Sequence, residues 1–307
     1  MDVLVTGGAG FIGSNLVERL IVEGHNVTVL DNLSTGSLSN LEAFRGEVRF
    51  TQDSCLNIGE AAPRGVGAVF HLGMPSSSPM YKANPSLVGE TVSEAVAVFE
   101  YARRHNVGKV VVASSSSLYS GQPPPHHESQ PIKVSDYYTE TRLTVERLAE
   151  LYSKLHRLNI VVLRFFSVYG PREEAKGKYA NIISQFIWAL QKGEMPLIYG
   201  NGTQTRDFIH VRDVVEACML ALNYRGSFDI FNVGTGKAYT FNHVVELLNG
   251  KMNLNVKPEY VIPNPIGNYV EHTLADTRKA EKKLGFKAEI SLEEGIDELL
   301  RFYSTQK

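Results

Sequence analysis

Three groups of residues in the 307-residue chain have types and spacings suited to chemistry. The first is the run "VTGGAGFIG", where Gly8, Gly10 and Gly13 form a G-x-G-x-x-G pattern that Gly7 extends. Glycines there allow a tight turn and let backbone approach a diphosphate, and a helix opening at that point offers free N–H groups and a positive dipole end. The second is Asp31, which closes the next apolar run. An acid about 20 residues beyond such glycines is placed to take ribose hydroxyls and to repel a 2′-phosphate, which selects NAD over NADP. Asp53, after a third short run, is placed either to contact the adenine or to stand as a solvated loop acid. The third is "SDYYTETRLTVE", residues 135–146, a pair of tyrosines at the head of a helical pattern. A free phenol titrates near pH ~10, and a neighbouring cation favours the phenolate, a base able to take an alcohol proton.

Elements able to hold these groups are legible around them. "DVLVT", "NVTVL", "VRFTQ", "AVFHL", "KVVVAS" and "NIVVLRF" are short apolar runs alternating with helical patterns at 11–23, 87–105 and after Tyr138. Unbroken apolar strands alternating with helices predict a parallel sheet covered on both faces, a Rossmann-type doubly wound α/β fold. Beyond residue 170 the texture changes to polar loops, helices near 182–193, 212–223, 241–251 and 292–304, and one strand, "FDIFNVG". The expected organisation is an NAD-binding domain of residues 1–165 and 207–235, with a smaller mixed α/β substrate lobe of 166–206 and 236–307.

Composition narrows the function. A formal charge of −2 without a basic cluster argues against nucleic acid as a partner. Two cysteines, Cys55 and Cys218, make no disulfide framework or zinc pattern, so no metal is expected and a reducing compartment fits. No leader-like N-terminus and no membrane-length apolar run are read, so the expectation is a cytoplasmic protein with no membrane partner.

Taken in order, "TGGAGFIG", "DNLSTG", "VFHLG", "ASSSSLYSG", "LRFFSVYGPR", "TRDFIHVRDVV", "FNVGTG" and "HTLADTRKAEKKLGF" cover nearly the whole chain. They resemble the extended short-chain dehydrogenase/reductase family, and within it the nucleotide-sugar epimerases related to UDP-galactose 4-epimerase. The resemblance implies cofactor contacts from Gly7, Gly10, Phe11, Ile12, Gly13, Asp31, Asn32, Ser34, Thr35, Gly36, Asp53, Ser54, Leu72, Gly73, Thr91, Ser114, Tyr138, Arg142 and Phe165. The family signature is Tyr-x-x-x-Lys with Glu eight residues after the tyrosine. Tyr138 puts Arg142 and Glu146 at those places, whereas Tyr137 puts Thr141 and Val145 there, so Tyr138 is the implied base and Arg142 stands for lysine. Ser115, four residues before Tyr119, matches the family's Ser or Thr at the sugar C4 oxygen, with Ser116 beside it. Arg206 matches the substrate-diphosphate arginine, Ser167 stands where Asn usually reaches the substrate, Thr91 where many relatives carry Asn, and Asn181 is a further substrate contact. A second diphosphate arginine, expected near "PNPIG", is missing.

The resemblance implies an NAD-dependent 4-epimerase of a nucleotide sugar, working through a transient 4-keto intermediate. Ser116 and Ser117 stand where a dehydratase or decarboxylase would carry an acid. An NAD-dependent oxidoreductase on another alcohol, and an idle NAD-binding protein lacking the lysine, stay open. The resemblance further implies a homodimer through a four-helix bundle, with Leu143, Leu148, Leu151 and Leu155 on one helix and the apolar helix at 91–104 as the second element.

Overall fold

A computed structural model describes residues 1–134, 136–263 and 270–305. Ser135 and most of the "PNPIG" stretch lie outside the described residues. The strands are β1 (Asp2–Thr6), β2 (Asn26–Asp31), β3 (Val48–Gln52), β4 (Ala68–His71), β5 (Lys109–Ser115), β6 (Ile160–Phe165), β7 (Ser167–Tyr169), β8 (Leu197–Tyr199), β9 (Thr205–Arg206), β10 (Phe208–His210), β11 (Phe228–Val233), β12 (Tyr239–Thr240) and β13 (Glu259–Val261). The helices are α1 (Phe11–Val22), α2 (Ile58–Ala61), α3 (Ser78–Ala83), α4 (Leu87–Arg104), α5 (Tyr137–His156), α6 (Ile182–Gln191), α7 (Val211–Asn223), α8 (Phe241–Met252) and α9 (Leu292–Thr305).

Seven strands form one sheet in the order β3-β2-β1-β4-β5-β6-β11, every neighbouring pair parallel. Side chains alternate between its faces with a period of two. Val3, Val5, Val27 and Val29 pack with Leu16 and Leu20 of α1 and with Val214 and Ala217 of α7. Leu4, Leu30, Val110 and Val112 pack on the other face with Val98 and Phe99 of α4 and Val145 and Ala149 of α5. Both faces are buried, which is why the strands read as continuous apolar runs. The strand order reverses between β1 and β4, so a crevice opens beyond their carboxyl ends, where ligands bind in such sheets.

A third apolar cluster joins Ile183 and Phe186 of α6, Val244 and Leu248 of α8, and Ile296 and Leu299 of α9. Buried Asp207 stitches this lobe to the sheet: its carboxylate accepts from the N–H groups of Thr235, Gly236 and Ala275 and from the Thr235 hydroxyl, at 2.7–3.0 Å. Among the described residues, no helix is long and apolar enough to cross a membrane.

Candidate functional site

One cavity of about 520 Å³ opens at the strand-order reversal and runs toward the C-terminal lobe. The glycine run builds its first wall. Gly7 has φ +70°, and a Cβ there would lie 2.6 Å from the Cα of Gly73. A Cβ on Gly13 would collide with the Gly7 carbonyl oxygen. Bare backbone is therefore required at both places, and it brings β1 and β4 against the start of α1. That helix begins after Gly10 with no side-chain cap and no acid in its first turn. Its first N–H groups have no carbonyl behind them and face a space suited to an anion.

Asp31 stands at the end of β2. Its carboxylate accepts the Ala9 N–H at 2.9 Å and the Leu33 N–H at 2.7 Å. Burial pushes its carboxyl up, while the amides of Leu33, Ala9 and Gly10 pull it back down. Phe11, Ile12, Asn32, Ser34, Thr35, Gly36 and Asp53 line the cavity around it. Asp53 accepts the Ser54 N–H at 2.7 Å and the Asn57 amide at 2.8 Å. Ser54 does not line the cavity; its hydroxyl donates to Glu94 at 2.7 Å, and Glu94 lines the wall in its place. Leu72, Gly73, Thr91, Ser114 and Phe165 complete this half. A cradle that only glycines allow, an open helix start and an acid at the end of β2 fit a dinucleotide.

Tyr138 and Arg142 of α5 line the cavity. Asp136 caps that helix, accepting the Thr139 N–H at 2.8 Å, while the Thr139 hydroxyl accepts the Asp136 N–H at 3.1 Å. This reciprocal cap fixes the first turn and decides between the tyrosines. Tyr138 is 6% exposed and lines the cavity, whereas Tyr137 is 53% exposed and lies outside it. Arg142, one turn on, holds its guanidinium 5.1 Å from the Tyr138 ring centroid. It donates to the Pro75 carbonyl at 2.7 Å, to Met74 Sδ at 2.8 Å and to the Ala113 carbonyl at 3.4 Å. Its buried Nε has no partner among the described residues.

Glu146, one turn further, is paired with Arg164 by two bonds of 2.8 and 2.6 Å and accepts the Ser114 hydroxyl at 2.6 Å. Ser115 ends β5 and Ser116 follows it, both within the cavity wall, and the Ser115 hydroxyl accepts the Ser117 N–H at 3.1 Å. His71, fully buried at the end of β4, touches the Thr6 hydroxyl at 2.9 Å. Burial, and then the charge of Arg142, push it down to about 3.

Ser167 and Asn181 line the far end. Asn181 is anchored as the cap of α6, accepting the Ile183 N–H at 3.0 Å and donating to the Val168 carbonyl at 2.9 Å. Arg206 is not in this wall: it donates to the Thr205 and Glu271 carbonyls and lies 5.3 Å from the Phe241 ring. Sequence reasoning missed the loop of Met74 to Ser77 after β4, Ser78 at the start of α3, and the residues Lys176 and Tyr179, all of which line the cavity. A Ser-Pro-rich stretch directly after a parallel strand was the available signal, since sites form beyond carboxyl ends.

The fold and this cradle define a dinucleotide-binding α/β protein of the Rossmann class. Residues 3–234 match the model of the NAD dependent epimerase/dehydratase family, and the chain belongs to that family, with NAD as its cofactor. It is 34% identical to a "Putative UDP-glucose 4-epimerase" of Methanocaldococcus jannaschii, over 98% of this chain and 97% of that one. It is 30% identical to "UDP-glucuronic acid decarboxylase 1" of Xenopus tropicalis, over 98% of this chain and 72% of that one. The solved structure "MoeE5 in complex with UDP-glucose and NAD" superposes with a TM-score of 0.88 at 35% identity, covering 100% of this chain and 99% of that one.

Proposed function

We propose that the protein is an NAD-dependent 4-epimerase of a UDP-sugar. The observation that carries this reading is the site around Tyr138: a buried phenol that lines the same cavity as Ser115, with a guanidinium against its ring and only serines at Ser116 and Ser117. NAD, when bound, supplies the hydride acceptor and donor for C4. Tyr138 takes the C4 hydroxyl proton as the sugar is oxidised and gives it back when the ketone is reduced. Ser115 positions that oxygen by a hydrogen bond. Arg142 holds its guanidinium against the phenol ring and fixes the ring's place in the wall. Dehydration or decarboxylation would be served by an acid on this strand end, and the serines offer none. Asn181 and Ser167 are proposed to meet the substrate from the smaller lobe, and Arg206 to reach its diphosphate from outside the present cavity wall.

The test is conversion of UDP-galactose to UDP-glucose without net NADH. Tyr138→Phe should remove at least about 10²-fold of the rate while NAD stays bound, and Tyr137→Phe should remove little. Full activity in Tyr138→Phe rejects the base assignment. A second reading, a weakened NAD-binding protein, is favoured by one observation: the Arg142 terminal nitrogens are engaged by Met74 and Pro75. Absence of turnover across a panel of UDP-, GDP-, dTDP- and ADP-sugars would select it.

The partner proposed for the outer face of α5 is a second copy of this chain, through a four-helix bundle with α4. Leu151 and Leu155 are 49% and 71% exposed there. Light scattering at micromolar concentration should give a dimer mass; a monomer mass rejects the assembly.

A further inference from the structure

We propose that Lys176 is a phosphate-binding residue, a cation carried on the loop of the smaller lobe that holds the NAD diphosphate against the first turn of α1. Its ammonium lies 5.4 Å from the ring centroid of Phe11, the first residue of that helix, and both residues line the cavity. The loop is placed there by bonds to the same helix. Asn15 donates to the Pro171 carbonyl at 3.2 Å, and Arg172 donates to the Ser14 carbonyl at 3.2 Å and to Glu18 at 2.6 Å.

Lys176 pairs with Glu173 at 2.8 Å. Glu173 is fully buried and also accepts the Asn181 N–H and the Ser184 hydroxyl, each at 2.8 Å. Within the pair the lysine is the open member, with 16% of its side chain exposed against 0%. An ammonium has three hydrogens. Among the described residues one is bound, by Glu173, which leaves two for acceptors in the cavity. Arg142 and Lys176 are the basic residues of the cavity wall among the described residues, and Arg142 is engaged with the loop after β4. The uncapped start of α1 supplies partial positive charge from N–H groups, and Lys176 adds a full charge above it. A lysine serving Glu173 alone would affect folding and leave cofactor affinity untouched.

The experiment uses cofactor-stripped full-length protein as wild type, Lys176→Met and Lys176→Arg. NAD and adenosine are titrated by calorimetry, and UDP is titrated into the NAD-loaded protein. Loss of a charged hydrogen bond predicts an NAD dissociation constant about 10- to 100-fold higher in Lys176→Met. Lys176→Arg should stay within a few fold, and adenosine, which has no diphosphate, should bind all three alike. UDP affinity should not change. Unaltered NAD affinity in Lys176→Met overturns the proposal. So does an equal loss for adenosine, which marks a disturbed pocket, or for UDP, which moves the cation to the substrate. The readout is cofactor binding, so it stands apart from whether a UDP-sugar is epimerised.

Discussion

Glu146→Gln is the perturbation whose size can be worked most directly from the structure. The Glu146 and Arg164 side chains are 2% and 4% exposed and joined by two short bonds. Burial alone would lower the guanidinium's pKa, and Glu146 more than reverses that, raising it above the ordinary arginine value. Arg164 also donates to the Tyr119 hydroxyl at 2.8 Å, and Tyr119 donates to Asn232 at 2.7 Å, so the pair ties α5, β5, β6 and β11 together. Removing one member leaves a buried charge unopposed, which costs about 3–5 kcal/mol. Unfolding entropy near 2.1 cal/mol/K per residue over a chain of 307 residues converts this to a fall in Tm of roughly 5–8 °C. Scanning calorimetry measures it. The double variant Glu146→Met, Arg164→Met should recover most of the loss, because it removes both charges together. Because Glu146 also holds the Ser114 hydroxyl beside Ser115, turnover of the single variant should fall more than its stability alone explains. A Tm within 1–2 °C of the parent (about 1 kcal/mol or less) would refute the view that this pair locks α5 to the sheet.

Arg142→Lys should keep or raise turnover. It should also lower Tm by a few degrees, because an ammonium cannot span both the Pro75 and Ala113 carbonyls that the guanidinium reaches; a turnover assay and a melt check the two halves. Asp31→Ala should narrow the preference for NAD over NADP, read by calorimetry on stripped protein. The imidazole of His71 is held near 3, below its unfolded value, so it contributes stability that is present above pH ~6.5 and lost as pH falls toward 3. His71→Asn should therefore shift acid unfolding, followed by circular dichroism, to lower pH; an unchanged midpoint would mean that other groups govern it.

The residues of β1 to β6, of the main helices and of the glycine run were legible from sequence because each obeys a local rule. Apolar runs alternate with helical patterns, and glycines sit where a strand meets a helix. The register of the tyrosine pair was legible only through the family's spacing, and the fold supplies the physical reason. Asp136 and Thr139 cap α5 so that one tyrosine turns inward and the other outward.

By itself the sequence determined a doubly wound sheet, a dinucleotide cradle and an acid at the end of β2. Each of these is written in contiguous residues whose period or spacing carries the information. Tertiary structure decided the rest. It spent Ser54 on Glu94, kept Arg206 out of the cavity wall, turned Arg142 onto the loop after β4 and brought Lys176 over Phe11. Those outcomes depend on pairings between residues far apart in the chain, where side chains compete for partners that no local pattern can rank.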